Sequence, residues 1–449
     1  MKKKIVIVAA LLMSICMQAQ QINYEATFEK AKAVAIQQQK PLAILITIEP
    51  PVPSPNFLNG LKDENVIEKF NTNFINYKVA REDTAASGKI IRNYRVNRFP
   101  SFVFLDAKGG LLLSDIAFLS RPQPLLALAD KAITSSKEMS LVDYDSAYAA
   151  GNYSTIFLKN YISKRQQAGL TDNAGFIEKY VDSLYIADLN NYAAVLFILK
   201  AGPLAEGRAY KLAHTNRNII DSIFKIEPLA DRVAMNNSTI NNTLNSAIAN
   251  KDLNSAYAAA NFTRNSWTTD PVTGQKNWQL KMLQYYKGIQ DTANYLQQAA
   301  NHYDRYYMGI SVDSIRKKDS LKYETAKNDA MQKAVAVKVN DSITQKSFSF
   351  SYPKSNLDAT ELNNAAWNFY EWAGNKENYL LKAMLWSKRA VELEPLPAYY
   401  DTYAHLLYKL KLYDEAEAMQ KKAMDLAEAS KKDSRIYNEE YIKIKKRKL

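Results

Sequence analysis

The sequence has very little of the side-chain chemistry on which many enzyme classes depend. Its 449 residues include one cysteine, Cys16, and three histidines, His214, His302 and His405. The histidines lie far apart, and none has a second histidine or cysteine at the spacing of a zinc site. The glycine motifs of nucleotide-binding loops and the serine elbow of hydrolases are also missing. We therefore expect no catalytic residues, no metal and no cofactor, in a protein that is not an enzyme.

Glycine and proline are scarce as well, with 13 and 14 residues, and nothing indicates a long disordered segment. The remaining composition is that of an ordinary globular protein, 47% hydrophobic and 23% charged. A chain of 449 residues exceeds the size at which one hydrophobic core keeps growing. We therefore expect two or three domains.

Residues 1–19 have the pattern of a secretory signal peptide. Lys2 to Lys4 form a positive region, Ile5 to Ile15 form an apolar region, and Ala19 supplies a small residue at the cut. The apolar run is too short to span a bilayer. The alternative, a lipid anchor on Cys16, is less favoured because Ile15 stands where a small residue is wanted. We expect an exported, periplasmic or cell-envelope protein that contains no cysteine once residues 1–19 are removed.

The formal charge is +13, and it becomes +10 when the three lysines of the signal peptide leave. The excess is concentrated at the C-terminal end, in Lys443, Lys445, Lys446, Arg447 and Lys448. A basic end can contact nucleic acid or anionic lipid, but a solvated helix end explains the same residues more simply. No nucleic-acid-binding motif accompanies it. We expect no nucleic-acid partner, and membrane contact only through this basic end.

Residues 22–138 alternate between helical and strand patterns. Apolar residues at helical spacing predict helices at 24–39, 56–70 and 85–94. Continuous or alternating apolar runs predict strands at 42–48, 74–79 and 101–105. Alternation of this kind favours an α/β domain built around a central sheet.

Three stretches of this domain are distinctive. They are Lys40-Pro41 before the first strand, Asp63-Glu64-Asn65-Val66 with Asn73-Phe74-Ile75-Asn76, and Tyr94-Arg95-Val96 leading to Phe99-Pro100-Ser101-Phe102-Val103-Phe104-Leu105-Asp106. In this order they resemble the thioredoxin family, in the branch of envelope thiol-disulfide oxidoreductases. The resemblance implies a thioredoxin-like fold and a cis peptide bond before Pro100, in a loop that lies against the active-site helix.

The same resemblance places the C-x-x-C pair of the family on or near Pro50, Pro51, Val52 and Pro53. Thiol-disulfide exchange needs one thiolate to attack and a second thiol to resolve the mixed disulfide. Three prolines and a valine supply neither. The sequence therefore predicts a thioredoxin-like domain without redox activity.

What the resemblance leaves is a peptide cleft beside Pro100. In the family an extended peptide pairs with the backbone there, which is a form of strand addition. The residues that we expect to line this cleft are Pro50, Pro51, Val52, Pro53, Arg98, Phe99 and Pro100. The alternative is that the domain serves only as a spacer or a dimerisation platform.

After Ser136 the sequence shows helical patterns and no strand pattern of any length. We predict a helical domain at 139–310, a polar helix with an irregular connector at 311–358, and helical repeats with the basic end at 359–449. The segment Ser146 to Tyr153 resembles Ser255 to Phe262. Small residues in both segments indicate helices that approach each other closely, as in stacked helix pairs.

The clearest repeat lies at the C-terminal end. Ala383 and Ala416 are 33 residues apart, as are Ala390 and Ala423. Alanines at such a period, with tyrosines between them, resemble tetratricopeptide (TPR-like) packing, in which alanines lie at helix crossings. The period is about one residue shorter than the usual one.

Together these patterns predict an α/β thioredoxin-like N-terminal domain followed by an all-α helical-repeat (TPR-like) domain. The leading hypothesis is an exported, redox-inactive protein that binds a protein or peptide partner in the cell envelope, or holds it as a scaffold. Two alternatives stay open. One is a thiol-disulfide oxidoreductase relative that works in redox homeostasis with the cysteines of a partner, and the other is a holdase chaperone.

Overall fold

The computed structural model describes residues 21–48, 57–332, 335–339, 343–347, 356–430 and 434–449. The predicted signal peptide, Cys16 and the predicted cleft residues Pro50, Pro51, Val52 and Pro53 lie outside the described residues. The chain divides into two compact units, Met1–Thr243 and Leu244–Leu449. In the ranges that the structure describes, no helix is long and apolar enough to cross a membrane.

The first unit begins with a mixed five-stranded sheet in the order β1-β3-β2-β4-β5. Its strands are β1 (Tyr24–Glu25), β2 (Leu42–Thr47), β3 (Ile75–Ala80), β4 (Ser101–Leu105) and β5 (Leu111–Ile116). The first three run parallel, whereas β4 is antiparallel to β2, and β5 is antiparallel to β4. In the β2–β4 register Leu42 faces Leu105 and Ile46 faces Ser101.

Both faces of this sheet are covered by helices, which explains the nearly continuous apolar sequence of β2. On one face Leu42, Ile44 and Ile46 pack with α1 (Phe28–Gln38) and α3 (Thr84–Asn93). On the other face Ala43 and Leu45 pack with α2 (Glu64–Asn73) and α4 (Pro122–Ser136). Because successive strand residues point to opposite faces, a strand buried on both sides has no polar position.

Two aspartates fix where helices begin beside the sheet. Asp63 accepts backbone hydrogen bonds from Asn65 at 3.1 Å and Val66 at 3.2 Å, at the start of α2. Asp83 accepts one from Ala86 at 3.1 Å, at the start of α3. Each carboxylate satisfies amide groups that have no partner within the helix.

The boundaries predicted for this domain need three corrections. The predicted helix at 24–39 begins only at Phe28, because Tyr24–Glu25 pairs with β3 as a short strand. The described part of the predicted helix at 56–70 holds a short 3₁₀ turn, Asn59–Lys62, before α2. Strand β5 was not predicted, since Leu111–Ile116 alternates too weakly to be distinguished from a loop.

The first unit continues with helices only. They are α5 (Leu141–Ala149), α6 (Thr155–Gln167), α7 (Ala174–Asp182), α8 (Tyr192–Lys200), α9 (Arg208–Ala213), α10 (Arg217–Ile226) and α11 (Leu229–Asn250), the last of which runs past Thr243. A 3₁₀ turn, Ile186–Asn190, precedes α8. Apolar residues of α5 to α11 form one core, centred on Leu158, Ile162 and Ile198, which are each 0% exposed.

The second unit is mainly helical. Its helices are α12 (Leu253–Asn265), α13 (Pro271–Gly288), α14 (Thr292–Tyr303), α15 (Val312–Gln332), α16 (Leu357–Trp372), α17 (Glu377–Leu393), α18 (Pro397–Lys409), α19 (Tyr413–Ala429) and α20 (Arg435–Lys445). A π-helical turn, Asp304–Met308, follows α14. The pairs α16–α17 and α18–α19 pack closely along their lengths.

One prediction about the second unit is wrong. The segment 311–358 contains the predicted polar helix as α15, but the rest is not wholly irregular. Val335–Val339 (β6) and Ile343–Ser347 (β7) form an antiparallel pair. Val335–Val339 is apolar apart from Lys338, and an apolar run this short does not distinguish a strand from a helix by its periodicity.

The described architecture is a mixed sheet with helices followed by a mostly helical region, which is compatible with the predicted fold class. Ala383, Ala390, Ala416 and Ala423 are all 0% exposed on α17 and α19. Their burial agrees with alanines at helix crossings, but assignment of these helices to tetratricopeptide repeats stays a prediction.

Candidate peptide-binding edge at the cis-proline loop

The segment 94–100, which we call the cis-proline loop, joins α3 to β4. Val96 anchors it, since this side chain is 7% exposed in the core below. The Phe99–Pro100 peptide bond is cis, as the resemblance predicts. The backbone N–H of Ala117 donates to the Pro100 carbonyl oxygen at 2.8 Å, and this hydrogen bond ties the loop to the end of β5.

Three of the predicted cleft residues, Arg98, Phe99 and Pro100, therefore lie together in this loop. The Arg98 guanidinium lies 3.2 Å from the Asp115 carboxylate, and both side chains are largely exposed. The Ser101 hydroxyl donates to the Arg98 carbonyl oxygen. The loop is thus fixed on its inner side by Val96 and by the hydrogen bond from Ala117, and its outer side is exposed to solvent.

Phe99 presents an unpaired piece of backbone. Within the ranges that the structure describes, neither its N–H nor its C=O has a hydrogen-bond partner. Its ring is half-buried and lies under the guanidinium of Arg81, with the Cζ atom 5.0 Å from the ring centroid. An extended chain placed here would find one donor and one acceptor beside an aromatic surface.

The wall of the site is supplied by the helical half of the first unit. Ala168, Gly169 and Leu170, between α6 and α7, face the loop and the end of β5 across a pocket of about 90 Å³. Gly169 has a φ of 81°, which favours glycine because other residues are strained there. A Cβ atom at this position would lie 3.5 Å from the Ser114 carbonyl oxygen.

Asp172 fixes that wall to the cis-proline loop. Its carboxylate lies 3.0 Å from the guanidinium of Arg95 and 2.8 Å from that of Arg165. Arg165 also donates to the Asn173 side chain at 2.8 Å, and it is only 12% exposed. A nearly buried arginine with two partners holds Asp172 in place, and Asp172 also pairs with Arg95 where both side chains are exposed.

The charges around the site are unequal. Four arginines, Arg81, Arg95, Arg98 and Arg165, surround the loop, whereas the acidic partners that contact them are Asp115 and Asp172. Tyr94 lines the same pocket, and its hydroxyl donates to the Gly109 carbonyl oxygen at 3.3 Å. Burial raises the pKa of Tyr94, and the negative charge of Asp106 raises it further.

Outside this site the histidines have separate surroundings. His214 and His302 lie in different units, while His405 lies between the carboxylates of Asp401, at 3.8 Å, and Glu440, at 3.4 Å. In the described part of the chain, no group of three or more histidine, cysteine, aspartate or glutamate side chains has the arrangement of a metal site.

Sequence reasoning found the loop but missed three residues around it, Arg81, Asp115 and Asp172. Arg81 follows directly after β3, and this position at the end of a strand could have indicated that Arg81 lies near the loop. Asp172 is 77 residues from Arg95 and lies in a different sequence region, so no local pattern connects them.

Comparison with known proteins adds little to this geometry. No family model matches the chain, and no curated protein matches it. A solved structure described as a DsbH oxidoreductase is similar over 28% of this chain and 90% of its own chain, with 17% sequence identity and a TM-score of 0.22. A TM-score this low establishes neither a shared fold nor a shared activity.

Proposed function

We propose that the protein is a redox-inactive, thioredoxin-like protein that binds an extended segment of a partner protein along Phe99. The observation that carries this proposal is that, among the described residues, the N–H and C=O of Phe99 have no hydrogen-bond partner, next to Arg98, which lines the pocket of about 90 Å³. A peptide that pairs with this backbone adds a short strand at the loop, and it packs against the Phe99 ring.

The expected affinity is modest. A neutral hydrogen bond contributes about 1 kcal/mol net, and burial of a half-exposed aromatic face adds a similar amount. The helical half of the first unit walls the site, so it limits which segments enter. We propose that the helices of the chain, TPR-like in their alanine pattern, add further contact with the same partner as a scaffold.

Redox inactivity rests on the sequence. Pro50, Pro51, Val52 and Pro53 stand where the resemblance places the cysteine pair, and Cys16 is the one cysteine in 449 residues. An exported protein cut after Ala19 would therefore hold no thiol. Residues 1–19 have the pattern of a signal peptide, and we therefore place the site of action in the periplasm or cell envelope.

The test is selection of binders from a displayed library of random peptides on the full chain, followed by affinity measurement on two variants. Phe99→Pro removes both the N–H donor and the aromatic ring, and we expect about thirtyfold weaker binding. Phe99→Tyr keeps the backbone and the ring, and it should bind as the wild type does. Thermal unfolding of both variants serves as the control for folding.

Three outcomes would contradict the proposal. Equal binding by the wild type and Phe99→Pro would place the peptide elsewhere. Suppression of aggregation of unrelated unfolded proteins, unchanged in Phe99→Pro, would favour a holdase chaperone. Turnover in an insulin-reduction assay would favour an oxidoreductase that works with thiols from a partner.

A further inference from the structure

The arginines around the cis-proline loop fall into two groups that differ in their partners. Arg95 and Arg165 share the carboxylate of Asp172, at 3.0 and 2.8 Å. Arg165 is only 12% exposed and also donates to the Asn173 side chain, so it has little capacity to receive a charged group from outside. Arg95 is 66% exposed, and its ion pair with Asp172 is as open to solvent as that of Arg98 with Asp115.

Arg81 and Arg98 are the two arginines that lie directly beside Phe99. In the described ranges, Arg81 forms no ion pair with a carboxylate, and its guanidinium lies over the Phe99 ring. Arg98 contacts Asp115, but the two side chains are 65% and 41% exposed. An ion pair this exposed contributes little, and an incoming carboxylate can replace it.

The placement of Arg81 also suits recognition of a carboxylate. A guanidinium stacked on an aromatic ring keeps the N–H groups of its edge free, and these form a fork that matches the two oxygens of a carboxylate. The contact with the ring limits the positions that the guanidinium can adopt, so less conformational entropy is lost on binding.

Building on the proposed function, we infer that the segment bound along Phe99 is acidic, with glutamate or aspartate side chains received by Arg81 and Arg98. Around the loop, four arginines stand against three aspartates, Asp106, Asp115 and Asp172. This excess attracts an acidic segment and disfavours a basic one. Backbone pairing along Phe99 does not distinguish one side chain of the bound segment from another. The arginines do, because they favour acidic side chains.

The experiment uses the full chain and three labelled peptides with the same extended frame of valine and threonine. The peptides carry glutamate, glutamine or lysine at the same two positions, and binding is followed by fluorescence anisotropy at low and high salt. We expect the glutamate peptide to bind about tenfold tighter than the glutamine peptide at low salt, and the lysine peptide to bind weakest.

The variants Arg81→Gln and Arg98→Gln should each weaken binding of the glutamate peptide by about threefold to fivefold and leave the glutamine peptide unchanged. The double variant should bind both peptides equally. Arg217→Gln, which removes an exposed arginine at the start of α10, is the control for net charge and should change nothing.

The outcomes separate this inference from the proposed function. If the glutamate and glutamine peptides bind the wild type equally and Phe99→Pro weakens both, the acidic preference is wrong and the binding edge remains. A preference for glutamate that survives in the double variant would also overturn the inference. If no peptide binds, or if Phe99→Pro binds as the wild type does, the proposed function itself fails.

Discussion

His302, on α14, is neutral because of where its side chain lies. The side chain is 1% exposed, and Nδ1 lies 3.0 Å from the Gln279 side-chain oxygen. Burial lowers its pKa to about 4, and the positive charge of Lys276 contributes to the lowering. The rings of Tyr303 and Tyr306 lie 5.1 Å away and complete an aromatic surrounding.

This pKa predicts an acid-sensitive second unit. Between pH 6.5 and pH 4 the unfolded chain binds a proton at His302 that the folded chain does not, so the free energy of unfolding falls as the pH falls. The loss contributed by this residue reaches about 3 kcal/mol below pH 4. Tryptophan fluorescence measures it, because all five tryptophans lie in the second unit: Trp267, Trp278, Trp367, Trp372 and Trp386.

His302→Asn is the matched variant, since it retains a group that can contact Gln279 but does not titrate. We expect its unfolding midpoint in urea to depend less on pH than that of the wild type between pH 6.5 and pH 4. Other groups titrate in both proteins, so the difference between the two pH profiles is the quantity to compare. Identical profiles would show that His302 does not carry this dependence.

Lys164, on α6, is a buried cation with a full set of partners. It is 3% exposed, and its Nζ donates to the Ser135 carbonyl oxygen, the Ser135 hydroxyl and the Glu138 carboxylate at 2.8, 2.8 and 2.9 Å. Ser135 lies in the last turn of α4, and α6 belongs to the helical half. This one side chain therefore connects the sheet-containing half of the first unit to the helices.

We predict that Lys164→Met destabilises the first unit by about 2 kcal/mol, because the Ser135 carbonyl and Glu138 lose their donor. The measurement is the rate of proteolysis of the full chain between α4 and α6 as temperature rises. Lys159→Met changes an exposed lysine of the same helix and should leave this rate close to that of the wild type. Equal rates for all three proteins would show that Lys164 contributes nothing to the connection.

At the residue scale the sequence predicts local features and misses long-range ones. Arg98, Phe99 and Pro100 are adjacent in sequence, so one motif was enough to place them in one loop. The contacts of Asp172 with Arg95 and of Lys164 with Ser135 depend on how distant segments fold back, which no local pattern encodes. A buried lysine is also contrary to the general preference of lysine for solvent.

At the scale of elements, two similar segments have different structures. Ser146 to Tyr153 resembles Ser255 to Phe262, but α5 ends at Ala149, whereas the second segment lies wholly inside α12. Gly151 has a φ of 89°, which ends the first helix. Ala260 occupies the corresponding place in α12, and it continues the helix because alanine favours helical φ and ψ values. At this aligned position the first segment has a glycine and a helix end, whereas the second has an alanine and a helix interior.

The buried alanines of the second unit allow a test of close helix packing. Ala423, on α19, is 0% exposed, and we predict that Ala423→Leu destabilises the second unit by about 2 kcal/mol, since the added atoms have no space. The control is Ala418→Leu, at an exposed position on the same helix, where the change should stay within about 0.5 kcal/mol.

Denaturant unfolding followed by tryptophan fluorescence measures both variants. A midpoint for Ala423→Leu that equals that of Ala418→Leu would mean that the helices do not meet closely at Ala423. This result would also remove the main reason for comparing these helices with tetratricopeptide packing. The opposite result supports close packing without assigning the helices to that repeat.

At the scale of the whole molecule, the change from an α/β region to helices was predictable because the periodicity of the sequence changes there. The division between Thr243 and Leu244 was not, because it falls inside α11, where composition does not change. The predicted boundaries after residues 138, 310 and 358 stay predictions. Long helices can cross from one compact unit to another, and local sequence patterns carry no sign of this.

The central claim is that one short edge in the first unit, and not a thiol, is the working site of this chain. Amide hydrogen exchange of the full chain, with and without a selected peptide, tests this claim because it reports on backbone amides throughout the chain. We predict slower exchange in the segment that contains Asn97, Arg98 and Phe99 when the peptide is bound. Slower exchange confined to residues 244–449, or no change at the cis-proline loop, would contradict the claim.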